Sequence, residues 1–244
     1  MSDNDEMPSE VSAHLPRAVR RVRRPREAAA RTYDRLSRRY DTVAAAEQPY
    51  VAEGIELLNA RPCESVLEIG FGTGGALVNL AQSVAAGGRV SGIDISPEMV
   101  ARAARRLDDN GLGQRVELVE GDAIRLPWRS SSFDAAFMSF TLELFDTPEI
   151  PTVLSECLRV LRPAGRMCVV SLSREGGPYP IRRLYEWMHE LAPAHLDCRP
   201  IYAARTLHRE GFVVKEVRIR RMWGIPVELV LADRPSDVPV ELPS

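Results

Sequence analysis

Hydrophobic and polar positions along the chain predict strands that alternate with helices. Apolar runs rich in valine and isoleucine predict five strands, at Ser65 to Ile69, Arg89 to Ile93, Val116 to Val119, Asp134 to Ser139 and Arg166 to Leu172. Apolar residues at helical spacing lie between them, at Ala76 to Val84, Pro97 to Leu107 and Ile150 to Leu161. This alternation is typical of βαβ units, so it predicts an α/β fold with a mostly parallel sheet.

The rest of the chain divides into flanking segments around one main domain. We expect a flexible leader at 1–24, N-terminal helices that cover the site at 25–60, the main domain at 61–233 and a flexible tail at 234–244. Within the domain, residues 173–200 break the alternation with glycine and proline, which predicts an insertion. Beyond it the pattern predicts a helix and two closing strands, at Arg205 to Glu210, Phe212 to Ile219 and Val227 to Leu231.

Composition agrees with a folded domain of enzyme size. The 244 residues are 45% hydrophobic and 27% charged, which excludes a disordered or fibrous chain. No run approaches the roughly 18 apolar residues of a membrane helix, and acids near residue 1 are unlike a signal peptide, so we expect a cytoplasmic protein. The cysteines form no C-x-x-C pair, so we expect no metal site and four buried, reduced thiols, Cys63, Cys157, Cys168 and Cys198.

Positive charge is concentrated near the amino terminus. Residues 17–39 hold ten arginines against Glu27 and Asp34, a local net charge of +8, although the whole chain has a net charge of -2. Such a run is typical of a solvated helix face, and it is also typical of an arm for nucleic acid or a membrane surface. We expect a solvated face and no nucleic-acid partner, and leave peripheral membrane contact open.

A glycine-rich turn after the first predicted strand is the clearest chemical signal. The stretch Val66-Leu67-Glu68-Ile69-Gly70-Phe71-Gly72-Thr73-Gly74-Gly75 runs from an apolar strand into a predicted helix. Glycine permits positive φ and lets a ligand approach the main chain closely. Asp94 ends the second strand, 24 positions after Gly70, where an acid can accept hydrogen bonds from ribose hydroxyls.

These residues leave two cofactors open. Gly70, Gly72 and Gly75 satisfy G-x-G-x-x-G, the dinucleotide spacing, so NAD is one candidate. Two further features are not part of that spacing and favour a different cofactor. They are an acid inside the first strand, Glu68, and the segment Glu120-Gly121-Asp122-Ala123 after the third strand. A buried acid is costly unless it is paired, which favours a ligand role for Glu68 over a cap on a main-chain N–H group.

With these motifs the chain resembles the class I S-adenosylmethionine-dependent methyltransferases, from about Tyr33 to Leu231. The resemblance implies a Rossmann-like, doubly wound sheet of seven strands with the last antiparallel. It also implies S-adenosylmethionine as cofactor, S-adenosylhomocysteine as product, and a cofactor site at the carboxyl ends of the first and fourth strands. The residues it assigns to that site are Glu68, Gly70, Phe71, Gly72, Gly74, Asp94, Ile95, Met99, Asp122, Ala123 and Ser139.

The segment Tyr33-Asp34-Arg35-Leu36-Ser37-Arg38-Arg39-Tyr40-Asp41 is similar to the opening helix of the quinone-biosynthesis C-methyltransferases. That similarity places Tyr33 and Tyr40 over the cofactor, whereas plain core packing is the alternative for both. It also suggests a small acceptor such as a quinone precursor or another aromatic ring. Residues 139–145 differ from the stretch typical of the quinone enzymes.

Methyl transfer from a sulfonium depends mainly on in-line placement of the reactants and on exclusion of water, so a dedicated base is not required. If a base acts, His189 and His195 in the insertion are candidates. Aromatic residues line an acceptor pocket or simply cover the sheet; they are Trp128, Tyr179, Tyr185 and Trp187. The alternatives are an NAD-dependent oxidoreductase, for which Lys215 as the sole lysine leaves no Tyr-x-x-x-Lys pair, and a non-catalytic binding protein.

Overall fold

A computed structural model describes residues 45–175 and 200–236 of the chain. It begins with a helix, α1, at residues 45–58. The elements that follow are β1 Ser65–Ile69, α2 Gly75–Ser83, β2 Arg89–Asp94, α3 Pro97–Asp109, β3 Val116–Glu120, β4 Phe133–Ser139, a 3-10 turn Leu142–Leu144, α4 Ile150–Val160, β5 Leu161–Leu172, α5 Ala203–Arg209, β6 Val213–Met222 and β7 Ile225–Asp233.

The strands form one sheet in the order β3-β2-β1-β4-β5-β7-β6. The first five strands are parallel, and β7 runs antiparallel to both β5 and β6. This is the predicted doubly wound α/β sheet with an antiparallel last strand. Strand order reverses between β1 and β4, so the carboxyl ends of these two strands flank a crevice.

Helices cover both faces of the sheet, and each face has its own apolar core. One core packs α1, α2 and α3 on the sheet, around residues such as Leu58, Leu77 and Phe137. The other packs α4 and α5, around residues such as Leu154 and Leu207. Because both faces are covered, the parallel strands are apolar on both sides, which is why they appear in the sequence as continuous apolar runs.

Local sequence signals place the helix ends. The Ser96 hydroxyl accepts a hydrogen bond from the Met99 N–H at 3.3 Å, and Pro97 takes the first helical position of α3. Gly211, with φ +97°, follows α5 and turns the chain toward β6. The predicted bounds of the helices and strands are therefore close to those observed.

Helix α1 runs across the sheet from the carboxyl edge to the amino edge. A Cβ on Gly75, just beyond β1, would lie 3.3 Å from the Gln48 side chain, near the start of α1. At the other end, the Arg166 guanidinium donates to the carbonyl oxygens of Leu58 and Asn59, both at 2.6 Å. The early residues of α1 consequently lie beside the glycine turn.

Three sequence expectations need correction. Strand β5 begins at Leu161, five residues before the predicted start, because Leu161 already pairs with Phe133 ahead of a bulge. Cys63 is exposed rather than buried, since it occupies a turn, whereas Cys157 and Cys168 are buried and free. Ordered structure also extends past 233, where the Arg234 N–H donates to the Gly165 carbonyl at 2.7 Å.

Candidate cofactor site at the carboxyl edge

The turn that joins β1 to α2 needs glycine for two reasons. Gly70, Gly72 and Gly74 have φ values of +70°, +51° and +80°, a region that side-chain-bearing residues rarely adopt. Neighbouring side chains also lie too close to the turn to leave room for a Cβ atom. A Cβ on Gly70 would lie 2.3 Å from Cγ2 of Thr141, and a Cβ on Gly74 would lie 2.8 Å from Cβ of Ala103. The turn thus presents main-chain groups at the carboxyl end of β1.

Asp94, at the end of β2, braces this turn. Its Oδ2 accepts a hydrogen bond from the Gly72 N–H at 2.8 Å, and its Oδ1 accepts one from the Ser96 N–H at 2.9 Å. Burial raises the pKa of Asp94, while these main-chain donors act in the opposite direction. Each carboxylate oxygen carries two acceptor sites, so both can still accept from a ligand hydroxyl. Sequence reasoning assigned only the ribose role and missed the brace.

Glu68 lies inside β1 and is almost completely buried, with 2% of its surface exposed. Among the described residues, its Oε2 has no hydrogen-bond partner. Burial raises the pKa of Glu68 well above its usual value of 4.5, and the nearby Asp94 charge raises it further. An unpaired buried carboxyl oxygen costs about 1–3 kcal/mol or more, so a donor from a bound ligand would stabilise it. A cap on a main-chain N–H group is therefore not the role of this oxygen.

The segment after β3 approaches Asp94 from the other side. The Gly121 N–H donates to the Asp94 carbonyl oxygen at 2.9 Å, and Oδ1 of Asp122 accepts from the Ile124 N–H at 3.1 Å. Asp122 is half-buried and Ala123 is buried. Both residues therefore lie next to the end of β2, where the adenine end of a nucleoside bound by Asp94 would extend.

The other predicted site residues have different environments. Ile95 is 38% exposed at this edge, so its side chain is open to a ligand. Met99 is buried under the first turn of α3. Phe71 is also buried, and a Cβ on Gly92 would lie 2.7 Å from its ring, so this ring packs on β2 and only its main chain belongs to the turn. Ser139 is half-buried at the end of β4.

Two residues near the site were missed by sequence reasoning. The Thr141 hydroxyl donates to the Ser139 carbonyl at 2.8 Å and lies 3.2 Å from the Gly70 carbonyl, which joins the end of β4 to the turn. Glu47 lies in the first described turn of α1, on the same helical face as the buried Val51 and Leu58. Burial raises the pKa of Glu47 to about 7. Neither residue carries a local sequence signal, because both positions depend on tertiary packing.

Several predicted residues lie outside the described part of the chain: Tyr33, Tyr40, Tyr179, Tyr185, Trp187, His189 and His195. Trp128 is described. Its ring packs edge-on against Phe133, with 5.4 Å between the ring centroids, so it covers the sheet as one of the two expectations had it. No described helix is long and apolar enough to span a bilayer. Within 45–175 and 200–236, no group of three or more metal-ligating side chains is present.

Comparison with known proteins relates this cleft to a family. Residues 66–165 match the family described as "Methyltransferase domain". This part of the chain is therefore similar to that family. The match covers β1, the glycine turn, Asp94 and Asp122, and it ends within β5.

Two curated relatives are similar to part of this chain. Nocamycin O-methyltransferase of Saccharothrix syringae is 34% identical over 64% of the chain and 52% of its own length. A demethylmenaquinone methyltransferase of Oceanobacillus iheyensis is 34% identical over 48% of each chain. The chain thus spans about half the length of the curated relatives it matches.

Solved structures share the fold of the domain. A geranyl diphosphate C-methyltransferase from Streptomyces coelicolor, solved with S-adenosyl-L-homocysteine, has a TM-score of 0.62 at 16% identity, covering 77% of this chain and 80% of that one. A SAM-dependent methyltransferase from Aquifex aeolicus has a TM-score of 0.55 at 24% identity, covering 75% and 88%. At these identities the likeness concerns the fold alone.

The residues of this cleft fit an S-adenosyl ligand. The unpaired Oε2 of Glu68 would accept from an ammonium group, and the Asp94 carboxylate would accept from ribose hydroxyls. The glycine turn leaves room for close approach to its main chain. The acids Glu68, Asp94 and Asp122 also favour a ligand with positive charge, which agrees with a sulfonium.

Proposed function

We propose that this protein transfers a methyl group from S-adenosylmethionine to a small organic acceptor by in-line displacement. The observation that carries the proposal is the unpaired, buried oxygen of Glu68 beside a glycine turn that Asp94 braces. A dinucleotide would place its phosphates at such a turn, and the negative charge of the neighbouring acids, Glu68 and Asp94, would repel those phosphates. An amino-acid ammonium and a ribose suit the same acids.

The proposed roles follow the order of the strand ends. Glu68 would hold the ammonium group, Asp94 the ribose hydroxyls, and Asp122 with Ala123 the adenine. Gly70, Gly72 and Gly74 would let the methionine part approach the main chain. The half-buried Ser139, at the end of β4, would lie beside the methyl group, because β4 neighbours β1 across the crevice.

S-adenosylmethionine supplies, when bound, a methyl group already activated by its sulfonium. The chain therefore has to bind, orient and exclude water. Phe140 and Leu142, both buried just after β4, would help to exclude water from this end of the crevice. Holding the acceptor in line can contribute most of the catalysis, since positioning alone is worth about 7–11 kcal/mol in well-oriented reactions.

An oxygen or acidic carbon is the acceptor atom that the features of the chain favour. The names of the relatives support it, since one is a nocamycin O-methyltransferase and another a demethylmenaquinone methyltransferase. Such acceptors lose a proton on methylation, and Glu47, which precedes Gln48 at the glycine turn and has a pKa raised by burial to about 7, would accept it. A quinone precursor or another aromatic ring meets this description.

The first experiment is calorimetric titration of the protein with S-adenosylmethionine, S-adenosylhomocysteine and NADH. We expect binding of both adenosyl ligands, loss of that binding in Asp94→Ala, and no binding of NADH. Asp109→Ala is the matched control, because Asp109 is exposed at the far end of α3. Binding of NADH alone would overturn the proposal in favour of an oxidoreductase.

Turnover requires a second measurement. S-adenosylhomocysteine release is followed with a demethylated naphthoquinol and a phenolic acid as acceptors, and the products are identified by mass spectrometry. Methylation of either supports an oxygen or carbon acceptor. Tight cofactor binding with methylation of amines alone would contradict that choice and leave the methyl-transfer proposal standing.

A further inference from the structure

The chain turns sharply where it leaves the sheet after β4. Phe140 is buried and has a φ of +48°, a left-handed conformation that is unfavourable for a residue with a side chain. Its N–H donates to the Val170 carbonyl oxygen of β5 at 2.7 Å. Backbone strain of this kind persists only where the surrounding contacts fix it, and it is concentrated at functional sites. Residues 140–144, which we call the β4 loop, therefore need contacts that hold them in place.

The Thr141 hydroxyl connects the β4 loop to the glycine turn. Its oxygen lies 2.8 Å from the Ser139 carbonyl oxygen and 3.2 Å from the Gly70 carbonyl oxygen. A hydroxyl has a single proton to donate, so these two carbonyl groups share it. Thr141 is buried, so water competes little for that proton. The hydroxyl consequently joins the last residue of β4 to the first glycine of the turn.

Glu143 connects the other end of the β4 loop to β5. Its side chain is fully buried, and its Oε1 accepts a hydrogen bond from the Leu172 N–H at 3.0 Å, at the last residue of β5. Inside the loop, the Leu144 N–H donates to the Thr141 carbonyl oxygen at 3.0 Å. The β4 loop is thus attached to the glycine turn on one side and to β5 on the other.

The two carbonyl groups that share the Thr141 proton belong to the two sides of the proposed reaction. Gly70 is part of the turn that the methionine part would approach, and Ser139 would lie beside the methyl group. In-line displacement depends on the distance and angle between the reactants, and a displacement of about 1 Å can cost about 100-fold in rate. A contact that fixes these two main-chain groups relative to each other should therefore affect the rate of methyl transfer.

The glycine turn has other supports, on the side of β2. The Gly70 N–H donates to the Ile93 carbonyl oxygen at 2.8 Å, and the Gly72 N–H donates to Oδ2 of Asp94 at 2.8 Å. Removal of the Thr141 hydroxyl leaves both of these hydrogen bonds in place. The affinity for an adenosyl ligand should therefore depend much less on Thr141 than the rate does.

We propose that Thr141 is a positioning residue for methyl transfer, because its hydroxyl holds the end of β4 against the glycine turn and so keeps the acceptor in line with the methyl group. This inference rests on the proposed function. Thr141 acts through the carbonyl groups of Ser139 and Gly70, and its hydroxyl does not titrate near neutral pH. Its loss should therefore lower kcat by the same factor at every pH.

The test compares Thr141→Val with Thr141→Ser in steady-state methyl transfer to an acceptor that the parent methylates. Valine keeps the shape and removes the hydroxyl, whereas serine keeps the hydroxyl and removes the methyl group that lies against Gly70. We expect kcat to fall about tenfold in Thr141→Val and to return to within about threefold of the parent in Thr141→Ser. In Thr141→Val, KM for S-adenosylmethionine and Kd for S-adenosylhomocysteine should change less than about twofold.

Thr152→Val is the matched control, because it makes the same replacement at an exposed position of α4 and should have the kcat of the parent. Thermal unfolding shows whether each variant has kept its fold. If Thr141→Val does not fold, Thr141→Ala removes the hydroxyl with less crowding and takes its place in the comparison. The rate of each variant is measured across the pH range in which the parent is active.

Equal kcat in Thr141→Val and the parent overturns the inference. Equal losses of kcat in Thr141→Val and Thr141→Ser also overturn it, because packing of the methyl group would then be responsible. A loss of S-adenosylhomocysteine affinity as large as the loss of kcat assigns Thr141 to cofactor binding, and a shifted pH profile assigns it to proton transfer; both contradict a positioning role. These outcomes leave the proposed function standing. A parent that binds no adenosyl ligand and transfers no methyl group defeats the proposed function, and the inference with it.

Discussion

Replacement of Glu68 by glutamine should change stability in a way that depends on pH. In the folded protein, burial and the neighbouring Asp94 raise the pKa of Glu68 well above 4.5, whereas in the unfolded chain the pKa has its ordinary value. Between 4.5 and the folded pKa, the folded state binds more protons than the unfolded state. The contribution of Glu68 to stability is therefore present below pH 4.5 and is lost as pH rises through the folded pKa.

Glutamine has nearly the same shape as glutamate and cannot ionise, so the stability of Glu68→Gln should not fall in this way as pH rises. The two proteins should be about equally stable near pH 4.5. Above that pH, the variant should gain up to about 1.4 kcal/mol of relative stability for each pH unit, until the folded pKa is reached. The assay is urea unfolding at a series of pH values without ligand, followed by circular dichroism, with m-values compared to confirm two-state behaviour.

Ligand binding should favour the parent protein over Glu68→Gln. Loss of a charge-assisted hydrogen bond costs about 1.5–3 kcal/mol, so Glu68→Gln should bind S-adenosylhomocysteine roughly 10-fold to 150-fold more weakly. A stabler variant that binds worse is what a site residue should show. A difference in stability that does not vary with pH would refute the assigned pKa, and unchanged binding would refute the ammonium role.

Two glycine substitutions test the close packing of the glycine turn and of helix α1 on the sheet. Gly70→Ala should lower the free energy of unfolding by about 2–5 kcal/mol, from left-handed strain and overlap with Thr141; urea unfolding measures it, and unchanged stability would contradict the packing. In α1, Gly54→Ala should gain about 1 kcal/mol of stability from helix propensity. It should lose about 1–3 kcal/mol of stability from steric overlap, because its Cβ would lie 2.5 Å from Cγ2 of Val170. The same substitution should stabilise the Val170→Ala protein, and a double-mutant cycle that finds no coupling would contradict this contact.

The fold could be predicted because its signals are local. Strand runs, the cap at Ser96 and the glycine turn each depend on residues close together in the chain, so periodicity and turn chemistry were enough for the helices and most strand bounds. The resemblance to a methyltransferase family then implied the antiparallel last strand and a cofactor site at the carboxyl ends of β1 and β4, and the structure supplied the order of the strands.

Other features needed the tertiary structure. The contact of Gly70 with Thr141 joins residues 71 positions apart, and the bond from Gly72 to Asp94 joins residues 22 apart. That Oε2 of Glu68 is buried without a partner depends on every side chain around it, as does the exposure of Trp223. The sequence by itself determined which segments form strands, helices and turns, since these follow from local periodicity. Only the packed sheet decided which polar atoms meet and which are left for a ligand, because that depends on strand order and on groups distant along the chain.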